Sequence, residues 1–574
     1  MTCSRRLLLA AALSLCAACA TGRRAATPPP VPPPPPPLPA PLPPPVVTPA
    51  LPSVEDPSDV LWDHRLDFAR GGEPLVTIRL MEGQEEIALR VRGAAHVRLR
   101  GGGLVEVPAG ARLTVRVRGA RPAKVGWYPL ILDAPAADRV RLDDARRLYE
   151  DRGVRLRTRR IGNVHGIAGR VVDNRRELLL AATDGTEEAA RAEIERLRSR
   201  FGARAALVQE VVERPGGTLV LSSEAGAPLG EADGVLVMEP DGDDDFLVEG
   251  VQHDLGKVAG AREDRTYRGR LYVAVDARGT LAAVHGVPLE ELLRGLVPSE
   301  MPASSPLEAL KAQAVTARSN VLAQLGTRHL TDPFMLCAEV HCQAYRGDAA
   351  RTPKTDLAVS ETRGEALFGR EDRTLVDAVY SAMCGGHSED NDKVWGNAPN
   401  ASLRGHPDLP NGDGRRWDRT LQDERALRSF LGDGGGDGAY CRMPTSRRDR
   451  FRWERRFTQG ELDRLLASMG VGRVTGLVVT SRGVSGRARV LEVRGATGRA
   501  EVSGELRIRK LLRDLPSAMF VVNREGDDWV LEGGGWGHGA GMCQWGAVGR
   551  AESGQDYREI LRAYFSGAEV AKMY

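Results

Sequence analysis

A proline-rich segment near the start of the chain limits what its first residues can fold into. Between Pro28 and Pro52, 16 of 25 positions are proline. Proline lacks a backbone N–H and fixes φ, so such a run disfavours both helices and central strands. The run is predicted to form an extended polyproline spacer inside a disordered linker over residues 20–60. At ~3.1 Å per residue it would reach on the order of 75 Å.

The residues before this spacer have the parts of a bacterial export signal. Arg5 and Arg6 precede an apolar run over residues 7–15, and small residues follow it. The run is too short for a stable membrane span. Residues 1–19 are therefore predicted to be a signal peptide with a lipobox and lipidation at Cys19, and ordinary cleavage without lipid is the alternative. The expected location is the cell envelope, with a lipid anchor in the periplasm or at the outer membrane.

Composition argues for a globular chain of two or three domains, 574 residues long. Charged residues make up 27% of it, the formal net charge is +3, and basic and acidic residues alternate along the chain. A nucleic-acid-binding protein needs a clustered basic face, so we expect no nucleic-acid partner. The overall prediction is an α+β fold.

Two regions of different pattern follow the linker. Residues 68–137 alternate apolar and polar positions between glycine-rich turns, which predicts a small β-rich region. Residues 138–262 read as an α+β region in which a helix capped by Thr186 lies between two strands. This β-α-β pattern weakly resembles a SPOR-like glycan-binding unit, and a plain spacer is the alternative.

A capped helix marks the beginning of the most informative region. Ser305 is predicted to be its N-cap, with Pro306 in the first turn and Glu308 completing a capping box. Gly326 is the expected C-terminal stop.

Three separated motifs lie in this region. They are SEMPASSPLEALKAQAVTARS (299–319), YSAMCGGHSEDNDKVWG (380–396) and GWGHGAGMCQWGAVGRAESGQDYREILRAYFSG (535–567). Together they resemble the SpoIID/LytB family of bacterial cell-wall remodelling proteins, which implies a SpoIID-type catalytic domain over residues 267–574. Some members are lytic transglycosylases that act on glycan strands stripped of peptide, and others enhance an amidase. The resemblance assigns the catalytic glutamate of the E-M-P motif to Glu300.

The chemistry of such an enzyme is compatible with one carboxyl group. A lytic transglycosylase protonates the glycosidic oxygen and then removes a proton from the muramyl 6-hydroxyl, which closes an anhydro ring. After donating its proton, Glu300 is the base that the second step requires. Glycoside hydrolysis, by contrast, uses a second carboxylate. To be protonated near neutrality, Glu300 needs a raised pKa, which the apolar residues around it can cause by desolvation.

Several polar and aromatic residues of the motifs are candidates for binding substrate. Gln313 is the best polar candidate on the helix, whereas Lys311 and Arg318 either bind sugar oxygens or pair with carboxylates. The aromatic rings can stack on sugars or belong to the core. The complete predicted substrate-binding set is Gln313, Lys311, Arg318, His387, Trp395, Trp536, His538 and Gln544.

Two groups of cysteines need separate interpretations. Some family members bind zinc in the stretch that corresponds to His329, Cys337, His341 and Cys342, so the resemblance implies a structural zinc site. A Cys337–Cys342 disulfide is the rival, because exported proteins meet oxidising conditions.

Cys384 and Cys441 are candidates for a second disulfide. A nucleophilic Cys384, with His387 or His538 as its base, is a less favoured hypothesis.

The sequence thus predicts a lytic transglycosylase that cleaves the β-1,4 bond between N-acetylmuramic acid and N-acetylglucosamine, with Glu300 as acid and base. Catalysis needs no cofactor on this hypothesis. Glycan strands, a cell-wall amidase and the membrane, through the lipid anchor alone, are the expected partners. A glycan-binding protein or amidase enhancer without turnover is the alternative.

Overall fold

The structure is a computed structural model that describes most of the chain after the spacer. The described residues are 47–49, 56–69, 72–99, 103–167, 170–203, 205–242, 244–253, 261–339, 341–396, 398–410, 415–432, 436, 438–442 and 450–574. The predicted signal peptide, the lipidation site Cys19 and most of the proline-rich run lie outside them.

Strands dominate the first half of the described chain and helices are more frequent in the second half. The strands are β1 Val47–Pro49, β2 Leu75–Gln84, β3 Glu86–Val91, β4 Ala95–Arg98, β5 Gly103–Val107, β6 Arg112–Arg121, β7 Lys124–Pro135, β8 Leu156–Ile161, β9 Val164–Ile167, β10 Arg170–Asp173, β11 Arg176–Ala181, β12 Ala206–Glu213, β13 Gly216–Ser223, β14 Pro228–Asp233, β15 Val235–Pro240, β16 Asp245–His253, β17 Ala261–Arg268, β18 Arg270–Val275, β19 Leu281–Pro288, β20 Leu336–Cys337, β21 Glu365–Gly369, β22 Tyr380–Ser381, β23 Arg452–Phe457, β24 Val474–Arg482, β25 Ala488–Gly495, β26 Gly498–Ser503, β27 Phe520–Glu525, β28 Asp528–Gly534, β29 Met542–Cys543 and β30 Ala568–Lys572. The helices are α1 Pro57–Trp62, α2 Arg139–Glu150, α3 Glu187–Phe201, α4 Leu289–Glu300, α5 Leu307–Gln324, α6 Pro353–Glu361, α7 Asn391–Trp395, α8 Glu424–Gly432, α9 Gln459–Leu465, α10 Glu505–Leu511, α11 Gln544–Glu552 and α12 Tyr557–Tyr564. The predicted α+β class is confirmed.

The sheets join segments that the sequence predicted to be separate regions. The largest has the strand order β1-β5-β4-β15-β18-β19-β2-β20, and a six-stranded sheet has the order β14-β13-β6-β3-β16-β17. The first combines strands from the predicted 68–137, 138–262 and 267–574 regions, and the second combines strands from the first two of these regions with β17, which spans residues 261–268. Strands distant in sequence therefore supply each other's backbone hydrogen bonds across the boundaries of the predicted regions.

The pattern over residues 176–213 is confirmed in detail. Strand β11 is followed by α3, whose N-cap Thr186 accepts a hydrogen bond from the Ala189 N–H at 3.3 Å, and then by β12. Strand β7 lies between β12 and β11 in a four-stranded sheet. The predicted linker, on the other hand, contains β1 and α1, so regular structure begins earlier than residue 60.

The helix that begins within the first motif differs slightly from its prediction. Helix α5 begins at Leu307, and its N-cap is Pro306, without a side-chain cap hydrogen bond. Ser305 is buried one residue earlier, so the predicted Ser305 cap is wrong. Gly326, at φ +69°, follows the helix as expected of a stop. Within the part of the chain that the structure describes, no helix is both long and apolar enough to cross a membrane.

Candidate functional site

Glu300 is the last residue of α4, where the first motif begins. The helix buries Leu296 and Val297 against the core, and Met301, which follows it, is also buried. Glu300 itself is partly buried. Its carboxyl group lies at the negative end of the helix dipole, which disfavours a negative charge there.

Groups from three parts of the chain surround the Glu300 carboxyl group. The Ala344 N–H donates to Oε1 at 2.6 Å, and the Gln544 Nε2 lies 3.5 Å from Oε2. The Tyr380 hydroxyl is the third hydrogen-bonding group. The three motifs therefore meet at this carboxyl group, as the hypothesis of one site requires.

The protonation of Glu300 is set by opposing effects. Burial raises the pKa of Glu300 above its ordinary value, and hydrogen bonds from Ala344 and Gln544, together with the contact with the Tyr380 hydroxyl, partly oppose the rise. None of the described groups that shift this pKa is a second carboxylate. The site thus holds one carboxyl group biased toward its acid form.

Tyr380 is a site residue that sequence reasoning missed, although it opens the second motif. Its hydroxyl donates to the Gln343 Oε1 at 3.0 Å, and burial raises its pKa well above the ordinary value. Gln313 is fully buried behind it, with Oε1 3.5 Å from the Gln544 Nε2. Tyr380 therefore stays a neutral hydrogen-bonding group beside Glu300, and the carboxamides hold it in place.

His538 contacts the site through the backbone. Its Nδ1 accepts from the Ala540 N–H at 3.1 Å, so the neutral ring carries its proton on Nε2, which donates to the Tyr380 carbonyl at 2.9 Å. Burial lowers the pKa of His538 to about 4. The imidazole is therefore neutral at neutral pH and fixes the segment that carries Tyr380.

Glycines of the third motif let its loop pack closely against the protein itself. Gly541 has φ +68°, and a Cβ there would lie 2.1 Å from the Val379 carbonyl oxygen. A Cβ on Gly539, at φ +80°, would lie 2.3 Å from the Arg487 guanidinium carbon. Glycine is therefore needed at these positions because neighbouring chain segments lie too close for a Cβ.

Two tryptophans flank this loop at the surface. Trp395 is 48% exposed and its ring centroid lies 5.0 Å from that of His538. Trp536 is 39% exposed and has the Arg450 guanidinium over its ring at 4.6 Å. Both rings are accessible to a ligand, unlike the buried Trp529.

Two family models match separate parts of the chain. The model of the stage II sporulation protein family, SpoIID, matches residues 277–368, which contain Glu300 and Gln313. The chain therefore contains a segment that matches the SpoIID domain, and it is similar to proteins of the SpoIID/LytB family. A second model, a domain of unknown function (DUF8618), matches residues 389–541, which contain Trp395 and His538.

Curated relatives match about half of the chain. An uncharacterised protein of Brachyspira hyodysenteriae is 27% identical over 51% of this chain and 68% of its own. The amidase enhancer of Bacillus subtilis is 26% identical over 48% of this chain and 40% of its own. Stage II sporulation protein D of the same organism is 27% identical over 50% of this chain and 76% of its own. The chain thus spans less than half of the amidase enhancer.

Several of the predicted substrate-binding residues are either paired with carboxylates or buried in the protein. Arg318 is fully buried and donates from Nε and Nη2 to both Glu290 carboxylate oxygens at 2.9 and 2.7 Å. Lys311 pairs with Glu308 and Glu361, each at 2.7 Å. His387 is 0% exposed, and burial lowers its pKa to about 3. Lys311 and Arg318 therefore follow the alternative in which they pair with carboxylates. Arg318, His387 and Gln313 are all 0% exposed and cannot reach substrate, so their assignment to substrate binding is wrong.

The cysteine hypotheses are also corrected. The Sγ atoms of Cys384 and Cys441 lie 3.8 Å apart, too far for a disulfide bond of about 2.05 Å. Cys384 is 0% exposed, and burial raises its pKa well above the ordinary value, so it is not a nucleophile. Cys337 and Cys342 are likewise not joined by a disulfide.

The predicted zinc ligands of the SpoIID domain do come together. One ligand atom from each of His329, Cys337, His341 and Cys342 lies within 4.8 Å of the others. The Cys342 Sγ is 3.2 Å from the His329 Nε2 and 3.6 Å from the His341 Nδ1. Two thiols and two imidazoles are a donor set suited to tetrahedral zinc, so these residues fit the metal.

Proposed function

We propose that this protein is an exported lytic transglycosylase that cleaves the bond between N-acetylmuramic acid and N-acetylglucosamine in peptidoglycan. The observation that carries the proposal is the setting of Glu300, a carboxyl group with a raised pKa where the three motifs meet. The absence of a carboxylate among the described groups that shift its pKa favours lytic over hydrolytic chemistry.

The hydrogen bonds at Glu300 assign a role to each of its oxygens. Oε1 accepts the short 2.6 Å hydrogen bond from the Ala344 N–H, whereas Oε2 has only the 3.5 Å contact with the Gln544 Nε2, so we assign the acidic proton to Oε2. Oε2 protonates the glycosidic oxygen as the bond to the muramyl C1 breaks. The resulting carboxylate then removes the proton of the muramyl 6-hydroxyl, whose oxygen bonds to C1 and closes the anhydro ring. Glu300 ends the cycle protonated, and no water is consumed.

The exposed tryptophans are proposed to stack on the sugar rings that flank the scissile bond. We expect Trp395→Ala to weaken binding of denuded glycan strands roughly 3- to 10-fold, because a stacked aromatic face contributes about 0.5–1.5 kcal/mol. Isothermal titration calorimetry in a Glu300→Gln background measures binding without turnover. Trp395→Phe is the matched control and should keep most of the affinity. Equal affinity of the Ala and Phe variants would exclude stacking at this position.

A zinc ion at His329, Cys337, His341 and Cys342 is proposed to have a structural role. The four protein ligands leave no position for a reacting water. The ligand loop leads directly to Gln343, which accepts from Tyr380, and to Ala344, which donates to Glu300. The metal would thus fix the segment that orients the catalytic carboxyl group.

Zinc binding at this cluster predicts a specific response to chelation. A chelator should lower the thermal unfolding midpoint of the wild-type chain by several degrees and added zinc should restore it, because the metal binds only the folded site. A reductant alone should leave the midpoint unchanged. Differential scanning calorimetry measures both, and His341→Ala is the control, which should respond less to chelator. A midpoint lowered by reductant and not by chelator would support the Cys337–Cys342 disulfide instead.

Amidase enhancement is the second candidate function, because one relative is named an amidase enhancer. In that case the chain would stimulate release of stem peptides by a cell-wall amidase without cutting glycan. Stimulation that persists in Glu300→Gln, together with intact strands in the wild type, would favour this function over the lytic one.

A further inference from the structure

A second cluster of metal-binding side chains lies apart from the Glu300 site. It is formed by Cys384, Asp408, Cys441 and Cys543, all fully buried or 1% exposed. One ligand atom from each lies within 4.8 Å of the others. We propose that these four residues bind a structural Zn²⁺ ion.

The spacing of the donor atoms matches tetrahedral zinc. Zinc with Zn–S bonds of about 2.3 Å separates two sulfurs by about 3.8 Å, and an oxygen at about 2.1 Å lies about 3.6 Å from a sulfur. The Cys384 Sγ is 3.8 Å from the Cys441 Sγ and 3.6 Å from the Asp408 Oδ2. The side chains thus already have the separations that a bound ion imposes.

The surroundings of Cys543 stabilise a thiolate. Its Sγ accepts from the Cys384 N–H at 3.1 Å and from the Gly546 N–H at 3.2 Å. Cys543 is also the N-cap of α11, where the helix dipole favours negative charge. Backbone donors to sulfur are the outer contacts expected around a metal-bound thiolate.

Hydrogen bonds to both carboxylate oxygens fix the orientation of Asp408, as is usual for a residue that binds a metal. Its Oδ1 accepts from the Arg550 Nη2 at 2.7 Å, and its Oδ2 accepts from the Tyr564 hydroxyl at 2.8 Å. Oδ2 retains a lone pair for an ion. Three thiolates and one carboxylate carry four negative charges, which Zn²⁺ and Arg550 reduce to one. Without a metal, that much charge is costly to bury.

A disulfide would engage fewer of these four side chains than a zinc ion would. Three cysteines allow one bond and leave a buried thiol with a carboxylate beside it, whereas a zinc ion uses all four groups. The ligands come from the loop after β22, the loop after α7, the short 3-10 helix Tyr440–Arg442 and the end of β29. The ion would therefore fasten the segment matched by the second family model to the SpoIID core.

Elemental analysis of the full-length chain, purified with zinc present and without chelator, tests the proposal. We expect two zinc ions per wild-type chain, one in Cys441→Ser and one in His341→Ala, the matched control at the other cluster. Alkylation of the denatured, unreduced protein followed by peptide mass spectrometry should find Cys384, Cys441 and Cys543 all as thiols.

Two results would overturn the proposal. One is zinc content that His341→Ala abolishes and Cys441→Ser leaves unchanged. The other is a disulfide between any two of the three cysteines in the wild-type chain. The thiol state of the wild-type chain and the zinc content of His341→Ala are both measured with this cluster unmutated. The proposal can therefore be overturned even if Cys441→Ser misfolds. The test does not measure glycan cleavage, so the zinc proposal can fail while the proposed lytic function holds, and the reverse.

Discussion

Glu300→Gln is expected to lower the rate of glycan cleavage by roughly 10²- to 10⁴-fold, the range that general acid–base catalysis contributes. Glutamine keeps the shape of the side chain and can still accept from the Ala344 N–H, but it has no acidic proton. Both steps depend on the same oxygen, so neither protonation nor ring closure survives. The loss is measured by incubating the chain with denuded strands and quantifying the released glycan fragments by chromatography.

The stability of the same variant is the control for misfolding. Because burial raises the pKa of Glu300 in the folded state, the folded chain binds more protons than the unfolded chain above pH 4.5. Stability from this group is therefore present at low pH and falls as pH rises through the folded pKa. Glu300→Gln should equal or exceed the wild type in unfolding midpoint at pH 8 and match it near pH 4. A variant less stable at pH 8 would contradict the raised pKa.

Arg318→Met is expected to destabilise the chain by about 3–5 kcal/mol, because it removes one partner of a buried ion pair. The Glu290 carboxylate, 2% exposed, would lose its bidentate guanidinium and keep only the Tyr574 hydroxyl and the Gly364 N–H. Denaturant unfolding, read as the midpoint and slope, measures the change.

Lys311→Met on the same helix is the matched control. Its partners Glu308 and Glu361 are 32% and 45% exposed, so the loss should stay below about 1 kcal/mol. Adding Glu290→Leu to Arg318→Met should recover part of the lost stability, since no charge is then left buried. Equal effects of the Arg318 and Lys311 variants would contradict the structural role of the buried pair.

Motifs in the sequence predicted the centre of the candidate site better than its periphery. Gln544 lies within hydrogen-bonding distance of both Glu300 and Gln313, and His538 is linked to them through its hydrogen bond to the Tyr380 carbonyl. Arg318 was misassigned because α5 is buried on nearly all sides, so its spacing from Lys311 does not indicate which side chain reaches a ligand. Hydrophobic periodicity shows which face of an amphipathic helix meets solvent. It cannot show which face of a fully enclosed helix is turned toward a ligand.

Contacts between distant segments explain the other differences. Local alternation predicted strands such as β2 and β11, but their neighbours in the sheets depend on pairing across long stretches of chain. The arrangement of Cys384, Cys441 and Cys543 likewise depends on the approach of three separate segments, which no local pattern specifies. Tyr380 was missed for a different reason, because a tyrosine at a motif boundary has no distinctive spacing.

Mass spectrometry of the products formed from denuded glycan strands tests the lytic function most directly. With the full-length wild-type chain, we expect fragments that end in 1,6-anhydro-N-acetylmuramic acid and are lighter by one water than hydrolysis products. The Glu300→Gln chain should leave the strands intact. Wild-type products with reducing ends, strands left uncut by the wild type, or anhydro products formed equally well by Glu300→Gln would contradict the assignment of Glu300 as the single acid and base.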